Sequence, residues 1–477
     1  MKVMKFGGSS VGSAEAIARV LELVARQQQE GNSLALVCSA MSGVTDGLLR
    51  MLAAAVAGQP VQEELNQLQN RHYAVVRELL EVKRHNPALL SLKIYFNELE
   101  ALFAGIQALG EVSARTSDRV LSYGELCSNV LMAHLVDQQC GRGVFADARQ
   151  LIKTNAQYGK ALVNPGLSRQ LIRSFFLQHA GSIPVITGFI AATEGGDTTT
   201  LGRGGSDYTA ALIGAAIEAE EIQIWTDVDG FMTADPRLVK KAFSLDQLSY
   251  NEAIELSYFG AKVIYPPTML PAIDKGIPIR IKNTFNPACA GTLIGPTSGT
   301  GGSLIRGISS IAEISLLNVQ GSGMVGQAGF SGRLFSALAR KEVNVVLITQ
   351  ASSEHSITFA IRPQDVAPAR QAIEGEFEFE LLSGKLDAPQ LQEGCSIVAA
   401  VGENMKQARG LAGKLFSALG RSGVNIIAIA QGSSELNISL VIRQEDLRKA
   451  LNSVHDSLFL SPVKTLHVFC CGTGTIG

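Results

Sequence analysis

The stretch Leu334–Arg362, LFSALARKEVNVVLITQASSEHSITFAIR, returns 81 residues later as Leu415–Arg443, LFSALGRSGVNIIAIAQGSSELNISLVIR, with 16 of 29 positions identical and no gap. Repetition of that quality means duplicated structure. Each copy reads helix, strand, turn, strand, so residues 303–464 are expected to hold two small α+β modules of one design.

Upstream, the pattern changes. The apolar, β-branched runs KVMKF, SLALVCS, IPVITGFI, IQIWTDV and IPIRIKN read as strands buried on both faces. Between them lie amphipathic segments such as Ser13–Glu30, where Ile17, Val20, Leu21 and Val24 keep helical spacing behind a Ser13 cap. Strand and helix in alternation predict an α/β domain with a largely parallel sheet over residues 1–295. Residues 60 to about 110 interrupt the rhythm with helical sequence alone and read as an inserted helical hairpin. The stretch GPTSGTGGS (Gly295–Ser303) reads as the linker to the modules.

Charge and cysteine usage exclude several classes. Forty-one Lys and Arg against 43 Asp and Glu leave a net charge of −2, with no electrostatic footprint for nucleic acid. No run approaches the ~18 uninterrupted apolar residues of a membrane span. The seven cysteines (38, 127, 140, 289, 395, 470, 471) form no CxxC pair and fit free thiols in a reducing cytoplasm.

Five loops carry the chemistry. KFGGSSVGS (Lys5–Ser13) runs from a strand through paired glycines into a helix start, a backbone cradle for an anion with a cation, Lys5, at its edge. VCSAMSGVTDG (Val37–Gly47) leaves a second strand into small and hydroxyl residues. TTTLGRGGSDYTAAL (Thr198–Leu212) sets Arg203 between glycines, as suits a carboxylate or phosphate, then opens a helix with Ser206 and Asp207. WTDVDGFMTADPR (Trp225–Arg237) and FGAKVIYPPTM (Phe259–Met269) add acids, Arg237 and Lys262. No Ser/His/Asp or Cys/His arrangement stands out. Cations and backbone donors without a covalent nucleophile suit phosphoryl transfer, where catalysis is positioning and charge neutralisation.

In this order, KFGGSSV, SAMSGVTD, SYGELCS, TLGRGGSDYTA, TDVDGFMTADPR and FGAKVIYP resemble the signatures of the aspartokinases of the amino acid kinase family. The repeat resembles their paired ACT regulatory modules. The resemblance implies ATP-dependent phosphorylation of the side-chain carboxylate of L-aspartate to 4-phospho-L-aspartate, the first step towards threonine, lysine and methionine. It implies that Lys5 neutralises the transferring phosphoryl, with Gly7, Gly8 and Ser10 lending donors and Asp207 orienting Lys5. Ser39, Ala40 and Thr45 would line the aspartate pocket, Phe189 and Ser206 would complete it, Glu125 would hold the substrate ammonium, and Arg203 the α-carboxylate. Thr226, Asp227, Arg237 and Lys262 would hold ATP with its Mg²⁺, and no protein metal site is expected. A homodimer or larger assembly is expected.

The repeat also places Gln350 and Gln431, with Asn344 and Asn425, at equivalent points. A glutamine both donates to and accepts from a small amino acid. The pattern resembles the threonine-sensitive enzymes, so threonine is the expected effector. A kinase of another amino-acid carboxylate and a lysine-sensitive enzyme stay open as alternatives. Finally, TLHVFCCGTGTIG (Thr465–Gly477) carries G-x-G-x-x-G behind an apolar run. In the bifunctional aspartokinase–homoserine dehydrogenases, which the regulatory half resembles, a dinucleotide-binding domain begins here. Residues 465–477 are therefore expected to be its first turn within a longer polypeptide.

Overall fold

The computed structural model describes residues 1–477 apart from 262, 298–303, 351–354, 406–407 and 461–477. Lys262 and the glycine-rich tail 465–477 thus lie outside the described residues. The chain divides into two compact units. The first comprises Met1–Phe231, Ser244–Tyr258 and the described part of 262–300. The second comprises Met232–Phe243, Phe259–Ala261 and the described residues from 304 on.

In the first unit, apolar runs become strands because their residues are wanted on both faces of a covered sheet. Its strands are β1 (Lys2–Phe6), β2 (Leu34–Cys38), β3 (Gly143–Ala146), β4 (Lys153–Thr154), β5 (Ile183–Thr187), β6 (Ile190–Thr193), β7 (Thr198–Thr200), β8 (Glu221–Thr226), β9 (Gln247–Ser249), β10 (Ile279–Asn283) and β11 (Thr292–Gly295). Eight form a sheet in the order β3-β5-β2-β1-β8-β10-β11-β9. Every pairing in it is parallel except β10 with β11. β4, β6 and β7 make a small separate sheet. All five residues of β2 and of β5 are buried.

Helices follow the strands as the periodicity predicts. α1 (Ala14–Gln29) starts at Ser13, whose hydroxyl accepts the Ala16 N–H at 3.2 Å, a cap of about 1 kcal/mol. α2 (Val44–Val56) leaves β2 through Gly43, which at φ 78° occupies the left-handed region open to glycine. The predicted helical insertion is α3 (Gln62–Leu79) and α4 (Val82–Leu109). α5 (Ala114–Cys140) is almost wholly buried through its middle two-thirds. A one-turn α6 (Ala148–Leu151), α7 (Pro165–Gln178) and α8 (Gly205–Ile217) follow.

In the second unit, β12 (Gly307–Gln320), β13 (Leu347–Gln350), β14 (Ser356–Ile361), β15 (Gln390–Val401), β16 (Ala428–Ala430) and β17 (Asn437–Arg443) form one antiparallel sheet, ordered β13-β14-β12-β15-β17-β16. The repeat is visible directly: helix Phe330–Arg340, β13 and β14 answer helix Leu411–Arg421, β16 and β17. Each module has its own core, around Leu334 and Phe359 in the first and Leu415 and Leu440 in the second. A third cluster, with Leu316, Ile397 and Val441, joins them.

The second unit also claims chain from within residues 1–295. Thr233 accepts the Ile308 N–H at 2.7 Å and its hydroxyl meets His455 Nε2 at 3.0 Å, while Ala234 and Val239 enter the second module's core. A contiguous division at the linker does not describe this, because a short apolar excursion gives no signal of which core it will join.

Candidate active site

β1, β2 and β8 run parallel, with Phe6 paired to both Cys38 and Trp225, so their carboxyl ends open side by side. Ligands gather at such ends in open α/β sheets. A cleft of about 520 Å³ opens there. Lys5 of β1, Gly8, Ser39, Ala40, Thr45 of α2 and Glu125 of α5 line it, together with Phe189, Arg203, and Ser206 and Asp207 at the start of α8.

Lys5 Nζ lies 2.6 Å from Asp207 Oδ1 in the first turn of α8, the two side chains being 11% and 13% exposed. An ion pair this dry holds its ammonium in one place, which an exposed lysine does not do. Ser39 Oγ donates to Ser206 Oγ at 2.9 Å and so links the β2 loop to α8. The fit is close: a Cβ on Gly188 would lie 2.5 Å from Ser206 Oγ.

Glu125 is 3% exposed on α5, and its Oε1 accepts the Ala40 N–H at 3.1 Å. Oε2 has no hydrogen-bond partner. Burial pushes this carboxyl from 4.5 up to about 8, the Ala40 hydrogen bond only partly opposing it. A buried carboxyl oxygen without a partner, on the wall of a cleft, calls for a cationic ligand.

Phe189 stands at φ 66°, uncommon for a bulky residue and costing about 1–3 kcal/mol. Its N–H donates to Thr209 Oγ1 at 3.2 Å, and its carbonyl accepts the Leu201 N–H at 2.9 Å. Gly205 packs against the ring; a Cβ there would lie 2.8 Å from it. The Phe189 backbone, the ring and the arginine loop are thus mutually fixed.

Other expected residues fall elsewhere. The Gly7 N–H is spent on the Trp225 carbonyl at 3.1 Å. Ser10 is fully buried; its N–H donates to the Gly7 carbonyl and its hydroxyl meets Thr284 Oγ1 at 2.7 Å. Its polar groups serve the loop's shape, so it is no free donor. Thr226 and Asp227 stand where β8 ends beside the Gly7 loop, outside the cleft's lining. Arg237 lies in the second unit, 83% exposed and 2.7 Å from Asp235.

The sequence reading overlooked other residues. Arg203 stacks over the Tyr265 ring at 5.5 Å, a contact hidden inside a motif read for its lysine. Asp118 is 2% exposed and accepts from Gly159 N, Thr200 N and Thr200 Oγ1, each at 2.9 Å. Its signal was its place seven residues before Glu125, two turns along one helix face.

In the second unit, Gln350 and Gln431 wall the same cavity of about 410 Å³, with Asn437 and Ser439. Gln350 also borders a second cavity, of about 400 Å³, over the start of helix Phe330–Arg340. Asn344 and Asn425 are exposed before the edge strands and line neither. Among the described residues, no helix is long and apolar enough to cross a membrane, and no three His, Cys, Asp or Glu side chains cluster as metal ligands.

Comparison with known proteins agrees with this geometry. The amino acid kinase family model matches residues 1–283, and the ACT domain model matches 317–377 and 398–458. The chain is 36% identical over its whole length to a Zea mays chloroplastic bifunctional aspartokinase/homoserine dehydrogenase, covering 52% of that protein. The chain thus spans about half the length of such bifunctional relatives. It is 33% identical to Aspartokinase 1, chloroplastic, of Arabidopsis thaliana, over 96% of this chain and 80% of that one. The structure of E. coli aspartokinase III in complex with aspartate and ADP (R-state) superposes with a TM-score of 0.80 at 28% identity, over 96% of this chain and all of that one. On motifs, fold and relatives together, the chain belongs to the amino acid kinase family, and within it to the aspartokinases.

Proposed function

We propose that the chain transfers the γ-phosphoryl of ATP to the side-chain carboxylate of L-aspartate, giving 4-phospho-L-aspartate and ADP. The observation that carries the substrate assignment is the unpartnered Oε2 of Glu125 in a cleft that also presents Arg203 and Lys5. An amino acid with a second carboxylate satisfies all three: ammonium to Glu125, α-carboxylate to Arg203, and side-chain carboxylate towards Lys5. An N-acylated acid offers Glu125 no cation. The related E. coli structure contains aspartate and ADP, in keeping with this reading.

The acceptor is already an anion, so the reaction needs no general base. A carboxylate oxygen forms the new O–P bond as the bond from the γ-phosphorus to its bridging oxygen breaks, and ADP keeps that electron pair. Charge spreads over the transferring group, and Lys5, held by Asp207, is placed to neutralise it. Mg²⁺ needs few protein carboxylates when phosphates supply the rest, and the cleft wall offers Asp46 and Asp207, which fits an ion arriving with the nucleotide. Thr226 and Asp227 are proposed to hold ATP from the end of β8. A hydroxamate assay with aspartate, glutamate and N-acetylglutamate tests the assignment; turnover of glutamate or N-acetylglutamate but not aspartate rejects it.

The regulatory unit is proposed to bind threonine where Gln350 and Gln431 meet, because repeat-equivalent glutamines with Asn437 and Ser439 can pair both the ammonium and the carboxylate of a small amino acid. The chain is further proposed to act as a homo-oligomer in the cytoplasm. Its sheet ends in the short edge strands β13 and β16, each with a half-exposed isoleucine, Ile348 and Ile429. For the whole protein we propose a homoserine dehydrogenase as well, on the naming of its relatives; the natural reading frame tests that.

A further inference from the structure

The helical insertion meets two loops beside the cleft through Arg71. Arg71, on α3, donates from Nη1 to the Ser42 carbonyl at 2.8 Å and from Nη2 to the Gly12 carbonyl at 2.6 Å. Those carbonyls belong to different loops. Gly12 precedes the Ser13 cap of α1 and ends the loop that carries Gly8 and follows Lys5 at the end of β1. Ser42 precedes Gly43, the cap of α2, in the loop that carries Ser39 and Ala40 and leads to Thr45 in the first turn of α2.

The two loops already touch as closely as backbone allows. The Ser42 N–H donates to the Gly8 carbonyl at 3.1 Å. A Cβ on Gly12 would lie 3.0 Å from the Gly8 carbonyl oxygen and 3.1 Å from Ser42 Cβ, and one on Gly8 would lie 3.2 Å from the Ala40 carbonyl oxygen. A planar guanidinium holds its two donors at a fixed separation, so one fork on two carbonyls fixes the spacing of the loops that bear them.

α3 is itself anchored. Its residues Leu65, His72, Val75 and Val76 are buried, and His72 Nδ1 donates to the Leu68 carbonyl (2.9 Å) while the ring meets Phe96 edge-on at 5.5 Å. Seven residues before Arg71, on the same face, Glu64 meets Arg50 of α2 at 2.6 Å. The insertion is therefore built as a brace against both loops.

We infer that Arg71 is a positioning residue for phosphoryl transfer, setting the distance between the loop that holds the phosphoryl and the loop that holds the acceptor carboxylate. This rests on the kinase reading proposed above. Each substrate keeps its own loop when Arg71 is lost, so binding changes little. What changes is the approach of carboxylate oxygen to phosphorus, on which rate depends steeply.

The test is steady-state kinetics of the full chain with Arg71→Lys and Arg71→Met, each checked by thermal melting. Lysine keeps the stem and the charge but not the two-pronged fork. The expected result is kcat lowered about tenfold in Arg71→Lys and about 30-fold or more in Arg71→Met, with the KM of aspartate and of ATP each moving less than about threefold. Wild-type kcat in a folded Arg71→Lys overturns the inference, since charge alone would then suffice. So does a rise in either KM at unchanged kcat. Should Arg71→Met fail to fold, Arg71→Lys decides. Wild-type turnover of a different carboxylate sinks the aspartate reading alone, and the kcat comparison is then made with that acceptor.

Discussion

Glu125 gives one carboxyl oxygen to the Ala40 N–H at 3.1 Å and keeps the other bare in the cleft. A buried carboxyl so placed is mostly protonated in the empty protein at neutral pH, its pKa pushed up to about 8 by burial. In its proposed role Glu125 must be ionised to pair the substrate ammonium, so binding is expected to expel the proton. Aspartate KM should therefore fall by up to about tenfold per pH unit as pH rises towards 8, then flatten until the amino group of aspartate titrates. In Glu125→Gln the slope should vanish and KM rise at every pH. Calorimetry below pH 8 in buffers of different ionisation enthalpy should show about one proton released per aspartate bound. No buffer dependence would refute the account. The sign for stability is opposite: a raised carboxyl favours the folded state at low pH, so the empty protein loses stability as pH climbs from 4.5 through 8.

Lys5 is proposed to meet a different demand, a charge that grows in the transition state. Lys5→Ala should lower kcat by roughly 100- to 1,000-fold while moving aspartate KM little, since Glu125 and Arg203 still bind the amino acid. Lys5→Ala and Lys5→Met both take the partner from Asp207, and Lys5→Met, which keeps the bulk of the side chain, is the cleaner comparison for stability. A variant keeping a tenth of wild-type kcat would contradict the role.

How far this was legible in the sequence depends on what each feature needs. Strands β1, β2, β5, β8 and β10 and helices α1, α3 and α4 stand near where periodicity puts them, because burial on one or both faces writes itself into local order. The loops around Lys5, Ser39 and Arg203 stood out in the sequence because glycine and hydroxyl spacing is local chemistry, and the structure brings them to one cleft. Arg71 was not readable. Its partners are 29 and 59 residues away, and an arginine on an amphipathic helix looks like any solvated one. The partner of Ser10 was hidden for the same reason: its hydroxyl, in a glycine loop, meets Thr284, 274 residues on.

Asp118 gives a further prediction through the arginine loop. Its two oxygens take three donors from Gly159 and Thr200, and Thr200 stands three residues before Arg203. Asp118→Ala leaves buried donors unpaired at about 1–3 kcal/mol each, so the protein should melt lower. Aspartate KM should rise severalfold more than kcat falls, because the loop that carries the carboxylate clamp is the part released. Asp118→Asn should recover most of both losses: its amide oxygen can take the two N–H groups, and its amide nitrogen can donate to Thr200 Oγ1. Equal damage in Asn and Ala would mean that the negative charge, not the hydrogen bonding, matters there.

The last prediction concerns control. Gln350 ends edge strand β13, Gln431 follows edge strand β16, and both wall one cavity at repeat-equivalent positions. A ligand held between them ties the two modules' outer strands together, and it can alter the kinase only by preferring one arrangement of the protein, typically with a coupling of about 1–3 kcal/mol. Threonine should therefore inhibit, and Gln350→Ala or Gln431→Ala should raise the half-inhibiting concentration by roughly 5- to 150-fold with uninhibited kcat nearly unchanged. Because both glutamines face one cavity, the double variant should be far less than the product of the singles, whereas two independent sites would give losses that multiply. Calorimetry on wild type and the three variants measures this directly. Binding of lysine without threonine, or multiplicative losses, would reject a shared threonine site.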